Sequence, residues 1–119
     1  MKPSDFIDAL KSEVRDAAAS DTISQIRTPS GRRPPEAIRK LSSWFNQLPE
    51  ADQQVVAEIA KMSASNAVFG FLCVLDGVRT IEDSEQRGEF ELNYVQKDKV
   101  SARLNPLSGE LLHDLFNAK

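Results

Sequence analysis

The residue best suited to acid–base chemistry is the single histidine, His113, because imidazole can donate and accept protons near neutral pH. Asp114 follows it directly. Neighbouring residues of a helix point about 100° apart, so we do not expect Asp114 to orient the ring as a triad acid does. Asp76 is a distant carboxylate that could pair with His113, but nothing in the sequence selects it. The sequence therefore favours a non-catalytic histidine.

The only candidate thiol nucleophile is Cys73, the one cysteine of the chain. It lies in an apolar segment, where a thiolate is disfavoured, so we interpret it as a small core residue. One cysteine excludes an intramolecular disulfide and a cysteine-based zinc site. The sequence also has no GxSxG, GxxxxGK[ST] or HExxH motif. We therefore predict no catalytic residues, metal ligands or cofactor, and an enzyme is the less favoured class.

Five acidic residues cluster in the C-terminal half. They lack the DxDxDG arrangement of a calcium loop, and Gln86 and Arg87 interrupt them as in a solvated loop. The alternative is a partner-binding surface that contacts a basic protein. The cluster consists of Glu82, Asp83, Glu85, Glu89 and Glu91.

Five basic residues follow one another earlier in the chain, with only Glu36 of opposite charge among them. They could bind phosphate or carboxylate groups, or they could belong to a solvated loop. No aromatic residue alternates with these charges as a stacking platform for nucleic acid requires, so nucleic-acid binding is unfavoured. This basic patch consists of Arg27, Arg32, Arg33, Arg39 and Lys40.

Composition indicates one soluble domain over residues 1–119, with 40% hydrophobic and 28% charged residues. The net charge is −3 and the sequence pI is near 5.2, which argues against a dedicated nucleic-acid binder. Residues 1–48 carry +2 and residues 49–119 carry −5. Acidic residues near the N-terminus argue against a signal peptide, and the longest apolar run is far shorter than the ~20 residues of a membrane span. We therefore expect a cytoplasmic protein without a membrane partner.

Apolar spacing predicts three N-terminal helices. The first covers residues 4–19, followed by a Pro/Arg-rich loop at 20–35 in which residues 22–26 could form a short extended piece. The second begins at Pro35. The third spans residues 50–76 and ends at Gly77. Their predicted core-facing residues are, in turn, Phe6, Ile7, Leu10 and Val14; Ile38, Leu41, Trp44 or Phe45, and Leu48; and Val55, Val56, Ile59, Ala60 and Met62.

The segment 67–75 of the third helix is apolar on every face, so we expect it to form the centre of the core. Phe71→Ala should then cost about 3–5 kcal/mol. Gly70 within it indicates close approach by another element.

Beyond Gly77 the pattern changes to a period of two. Residues 89–95 and 100–104 predict a β-hairpin with its turn at residues 97–99, and a third short strand at 78–81 is an alternative to a turn there. Phe90, Leu92 and Tyr94 should point inward. Ser108 should cap a final helix with an apolar stripe from Leu111 to Phe116. The predicted fold is α+β, with a long third helix, a hairpin and a C-terminal helix.

Two segments, FGFLCVLDGVRTIED (69–83) and LNPLSGELLHDLFN (104–117), resemble a group of small bacterial proteins with no assigned activity. The resemblance covers residues 44–119. It implies a long helix ending in the FLCVLDG stretch, a hairpin and a terminal LHDLFN helix. Bacterial proteins of this size are often immunity or adaptor proteins, which is an association and not a mechanism.

The leading hypothesis is a non-enzymatic, protein-binding protein of immunity or adaptor type, whose acidic cluster contacts a basic partner. The alternative is a small enzyme or ligand-binding domain with a site near His113, Asp76 and Arg79. A third hypothesis is weak nucleic-acid binding through the basic patch. The sequence leaves a homodimer open.

Overall fold

The computed structural model describes residues 1–83, 85–106 and 109–118 and confirms the α+β fold. A nearly continuous helical run opens the chain, and a long fourth helix precedes a two-stranded antiparallel sheet and a short last helix. The elements are α1 (Pro3–Leu10), a π-helical segment (Lys11–Asp16), α2 (Ala17–Arg27), α3 (Glu36–Asn46), α4 (Glu50–Leu75), β1 (Asn93–Gln96), β2 (Lys99–Arg103) and α5 (Leu112–Asn117).

The contacts divide the chain into two compact units. Unit 1 comprises Met1–Glu13 and Asn66–Lys119, and unit 2 comprises Val14–Ser65. The expectation of a single domain stays a prediction. In unit 2, α2 packs on α3, and its buried residues are Ala19, Ile23, Ser42 and Phe45.

The opening helix corrects two expectations. Helix α2 continues to Arg27, so the Pro/Arg-rich loop begins only at residue 28 and residues 22–26 are not extended. The π-helical segment, with its i to i+5 hydrogen bonds, breaks the 3.6-residue period on which the predicted stripe depended. Val14 lies in that segment and is exposed, whereas Ile7 before it and Ile23 after it are buried.

The core of unit 1 is built from residues far apart in sequence. Ile7, Leu72, Leu112 and Phe116 form one buried cluster, against which Phe69 and other half-buried apolar residues pack. The prediction that the segment 67–75 is enclosed on all sides is wrong. Leu72 is fully buried and Cys73 is buried as predicted, but Phe71 is 60% exposed. This part of α4 therefore has a buried face and an open face.

The first half of α4 also differs from its prediction. Val55, Ile59 and Met62 are exposed rather than core-facing, whereas the predicted Val56 and Ala60 are half-buried, together with Gln53 and Ala57. Helix α4 is long and apolar enough to cross a membrane, with a mean hydropathy of 1.3 over 18 residues of which 17% are buried. One such helix is weak support for a membrane protein, since core helices of soluble proteins share this property.

The hairpin is shorter than predicted and contains a β-bulge. Lys97 and Asp98 both have positive φ, as in the tight turns that match strand twist, so the predicted turn is confirmed. The register shifts between Tyr94 and Val95. Phe90 precedes β1 and is exposed, which contradicts its inward assignment. Helix α5 begins at Leu112, and the predicted Ser108 cap lies outside the described residues.

Candidate functional site

The site begins at the C-terminal end of α4, where the chain reverses direction. Gly77 has a φ of +77°, and its N–H donates to the Val74 carbonyl while the Val78 N–H donates to the Cys73 carbonyl. These two bonds form a Schellman motif, which ends a helix at a residue in the left-handed conformation. The reversal brings Arg79 back along the helix that it has just left.

Arg79 lies against Gly70 of α4. A Cβ atom at Gly70 would overlap the Arg79 guanidinium, so only glycine leaves room for this arrangement. The predicted close approach at Gly70 is therefore confirmed, and the approaching group is a cation. None of the described residues forms a hydrogen bond or ion pair with the Arg79 side chain.

Asp76, the residue before Gly77, joins α4 to α5. Its Oδ2 accepts a hydrogen bond from the His113 backbone N–H at 2.8 Å and lies 2.7 Å from His113 Nδ1. The residue at the N-cap of α5, Leu111, has no side-chain acceptor, so the Asp76 carboxylate takes the role of a capping group. The Asp76 side chain is 0% exposed, and its Oδ1 is buried without a hydrogen-bond partner among the described residues.

The position of His113 corrects one expectation. Asp114 does reach the ring, since its Oδ1 lies 3.3 Å from Nε2. Both ring nitrogens therefore face carboxylates, with Asp76 on the buried side and the largely exposed Asp114 on the other. The ring also packs edge to face on Phe69 at 6.0 Å. Held in this way, the ring links α4 to α5, and it does not line the neighbouring cavity.

The cavity of unit 1 has a volume of about 410 Å³ and lies between the end of α4, the segment 79–90 and the start of the 103–106 segment. Its volume falls within the range of small-molecule sites. Both signs of charge line it, together with the apolar side chains of Phe90 and others. The charged lining residues are Asp76, Arg79, Glu82, Arg87, Glu89 and Arg103.

Several of these charged groups already have protein partners. The Arg87 Nη1 donates to Thr80 Oγ1 at 3.1 Å, and the Arg103 Nε donates to the Asn105 carbonyl at 3.0 Å. Glu82 Oε2 accepts from the Gly88 N–H at 3.4 Å. Among the charged lining residues, Arg79, Glu89 and the enclosed Asp76 Oδ1 have no hydrogen-bond or ion-pair partner within the described ranges.

Asn105 holds the cavity wall together, a role that only its position before Pro106 hints at in the sequence. It is buried, and its Nδ2 donates to the carbonyls of Leu75 at 2.8 Å and Phe90 at 2.7 Å. Its Oδ1 accepts from the Leu92 N–H at 2.7 Å. A single side chain therefore connects the end of α4, the 88–92 segment and the hairpin.

The residues of the predicted acidic cluster are divided between the cavity lining and the surface outside it. Glu82 and Glu89 line the cavity, whereas Asp83, Glu85 and Glu91 are exposed outside its wall. Glu91 accepts a hydrogen bond from Asn93 Nδ2 at 3.3 Å. Within the described ranges, no three His, Cys, Asp or Glu side chains come together as metal ligands.

The predicted basic patch lies entirely in unit 2, and its five side chains are exposed. Arg27 stands over the Phe45 ring, 5.6 Å from its centre, and its carbonyl accepts a hydrogen bond from Asn46 Nδ2. The patch therefore belongs to a different unit from the cavity.

The comparisons with known proteins give no relative: no family model, curated protein or solved structure matches this chain. The resemblance to small bacterial proteins thus stays a prediction.

Proposed function

We propose that unit 1 is a binding module for a small organic molecule that carries both an anionic group and a hydrogen-bond donor. The observation that carries this proposal is Arg79, an exposed residue that lines the cavity and whose guanidinium lies over Gly70 without a protein partner among the described residues. Guanidinium groups bind carboxylates and phosphates through two parallel hydrogen bonds. An anionic group on the ligand would complete this interaction.

The second half of the proposal comes from Asp76. A buried carboxylate oxygen without a donor is costly, and a ligand N–H or O–H group would satisfy it. Asp76 and Arg79 both line the cavity, and because the Asp76 side chain is 0% exposed, a ligand donor would reach its Oδ1 only by displacing part of the cavity wall. Amino acids have this combination, whereas simple dicarboxylates have only the anionic part.

The geometry favours binding over catalysis. A general base has to reach its substrate directly or through one water molecule. His113 is outside the cavity lining and is held by Asp76 and Asp114, and Cys73 is buried in α4. The hypothesis of a basic protein partner at the acidic cluster stays a prediction, since the exposure of Asp83, Glu85 and Glu91 is compatible with it.

The test compares L-aspartate with succinate, which share two carboxylates and differ by one ammonium group and therefore by one unit of net charge. Each is titrated into the wild-type protein and into Gly70→Ala, with calorimetry and thermal unfolding as readouts. At ten times the Kd, a ligand adds about 1.4 kcal/mol of stability, which for a domain of this size raises Tm by roughly 5 °C. We expect aspartate to bind more tightly than succinate.

Gly70→Ala is the informative variant because it should displace the Arg79 guanidinium without destabilising the protein. Alanine favours helix by about 1 kcal/mol over glycine, and only the movable end of Arg79 would meet the new Cβ. We therefore expect unchanged or increased stability with weakened binding. Arg79→Gln should also weaken binding, and Arg39→Gln, outside the cavity, serves as the control. Equal responses to both ligands, or aspartate binding that both variants retain, would refute the proposal.

A further inference from the structure

Helix α3 has two apolar faces, of which only one is covered. Phe45 is fully buried and Ile38 is half-buried on the face that packs against α2. Leu41 and Trp44 lie on the adjacent face and are 47% and 55% exposed. Leu41 and Trp44, three residues apart, form an exposed apolar patch, and such a patch rimmed by polar residues is a candidate interaction surface.

Basic residues border this exposed face. Lys40 lies four residues before Trp44, so their side chains are neighbours on the helix surface. Arg32 and Arg33 lie in the exposed connection that leads into α3. Arg39, in contrast, is roughly 160° around the helix from Leu41 and faces away from Leu41 and Trp44.

We propose that this face of α3, with the connection before it, docks unit 2 on a membrane surface rich in anionic lipid. Tryptophan prefers the level of the lipid headgroups, where its ring is in an apolar environment and its N–H remains hydrated. Lysine and arginine beside an apolar face add attraction to anionic lipids. The expectation of no membrane partner depended on the lack of a membrane-spanning run, and surface docking does not need one.

Charge distinguishes this face from the other exposed apolar face of unit 2. On α4, the exposed residues Val55, Ile59 and Met62 are bordered by Asp52 and Glu58. Those carboxylates would be repelled by an anionic lipid surface, so the α4 face does not fit this partner. Of these two faces, the α3 face is the one with a lysine, Lys40, beside its exposed apolar side chains; Glu36, one turn before Lys40, is the acidic residue nearest to it.

The experiment uses the fluorescence of Trp44, the only tryptophan in the chain, which reports directly on the proposed contact. The full-length protein is titrated with vesicles of phosphatidylcholine alone and of phosphatidylcholine with 30% phosphatidylserine. We expect a blue shift with the anionic vesicles and little change with the neutral ones. Raising the salt concentration should reverse the shift, because screening weakens the attraction.

The matched variants are Lys40→Glu and Arg39→Glu, which make the same charge change on opposite sides of α3. One basic residue near the surface contributes roughly a fivefold factor in binding, so Lys40→Glu should weaken the partition coefficient at least fivefold. Arg39→Glu should have a clearly smaller effect. Leu41→Ser, at an exposed position that tolerates serine, should also weaken binding.

Three outcomes would overturn the proposal. The first is the absence of a blue shift with anionic vesicles. The second is an equal loss for Lys40→Glu and Arg39→Glu, which would indicate nonspecific charge attraction. The third is a blue shift without vesicles. If this shift grows with protein concentration, the face binds a second copy of the chain, and if it appears on adding a DNA duplex, the face binds nucleic acid.

Discussion

Removing the Asn105 side chain should destabilise unit 1 more than any other exchange of a polar residue described here. The Asn105 amide satisfies two carbonyls, those of Leu75 and Phe90, and one N–H, that of Leu92, through hydrogen bonds of 2.7–2.8 Å. The residue itself is 3% exposed, so water cannot readily replace these contacts. Asn105→Ala leaves all three backbone groups without a partner.

The magnitude follows from the cost of each bond. A hydrogen bond contributes about 0.5–1.5 kcal/mol net, and an unsatisfied buried group costs about 1–3 kcal/mol. Three such groups give an expected loss of about 3–5 kcal/mol in the free energy of unfolding, a large fraction of the total stability of a small protein. Asn105→Asp is nearly isosteric but cannot donate to the two carbonyls as a carboxylate, so it should be at least as harmful.

Urea unfolding followed by circular dichroism measures this loss, and Asn93→Ala is the control. Asn93 is exposed and donates only a 3.3 Å bond to Glu91, so its removal should change stability by less than about 0.5 kcal/mol. If Asn105→Ala cost less than about 1 kcal/mol at an unchanged m-value, the side chain would not be holding these segments together.

Two further stability predictions concern α4 and its junction with α5. Leu72→Ala should lower the free energy of unfolding by about 2–5 kcal/mol, because Leu72 is enclosed, whereas Phe71→Ala should lower it by less than about 1 kcal/mol, because Phe71 is 60% exposed. Urea unfolding measures both losses, and a lower midpoint for Phe71→Ala than for Leu72→Ala would contradict this packing. Asp76→Ala should lower the free energy of unfolding by about 1–3 kcal/mol because it removes the hydrogen-bond acceptor at the N-terminus of α5. Asp114→Ala, at an exposed position, serves as the control and should cost less. Equal losses of the two variants in thermal unfolding would refute the capping role of Asp76.

The elements that could be predicted from the sequence are those with strong local signals. Proline and acidic residues fixed the start of α4, and Gly77 fixed its end. Lys97 and Asp98 marked the hairpin turn, although the strands are shorter than the alternation indicated. Local chemistry decides these positions, so no knowledge of distant residues was needed.

Other features depend on contacts that a single sequence does not display. Val14 is exposed because a π-helical segment changes the helical period, and no residue pattern near it predicts that change. Phe71 was assigned to the core from hydrophobicity alone, which does not reveal how many faces of a helix are covered. The capping of α5 by Asp76 joins residues 37 positions apart, and the hydrogen bonds of the buried Asn105 span 13 to 30 positions.

The buried cluster of unit 1 has a kinetic consequence. Ile7 of α1 packs with Leu112 of α5, about a hundred residues later in the chain, whereas α2 and α3 are neighbours in sequence. Closing so long a loop is entropically costly, and contacts of high sequence separation form slowly. During synthesis, the apolar side of the helix around Ile7 is not fully covered until α5 has emerged from the ribosome. An apolar helix face exposed in this way is the kind of segment that chaperones bind.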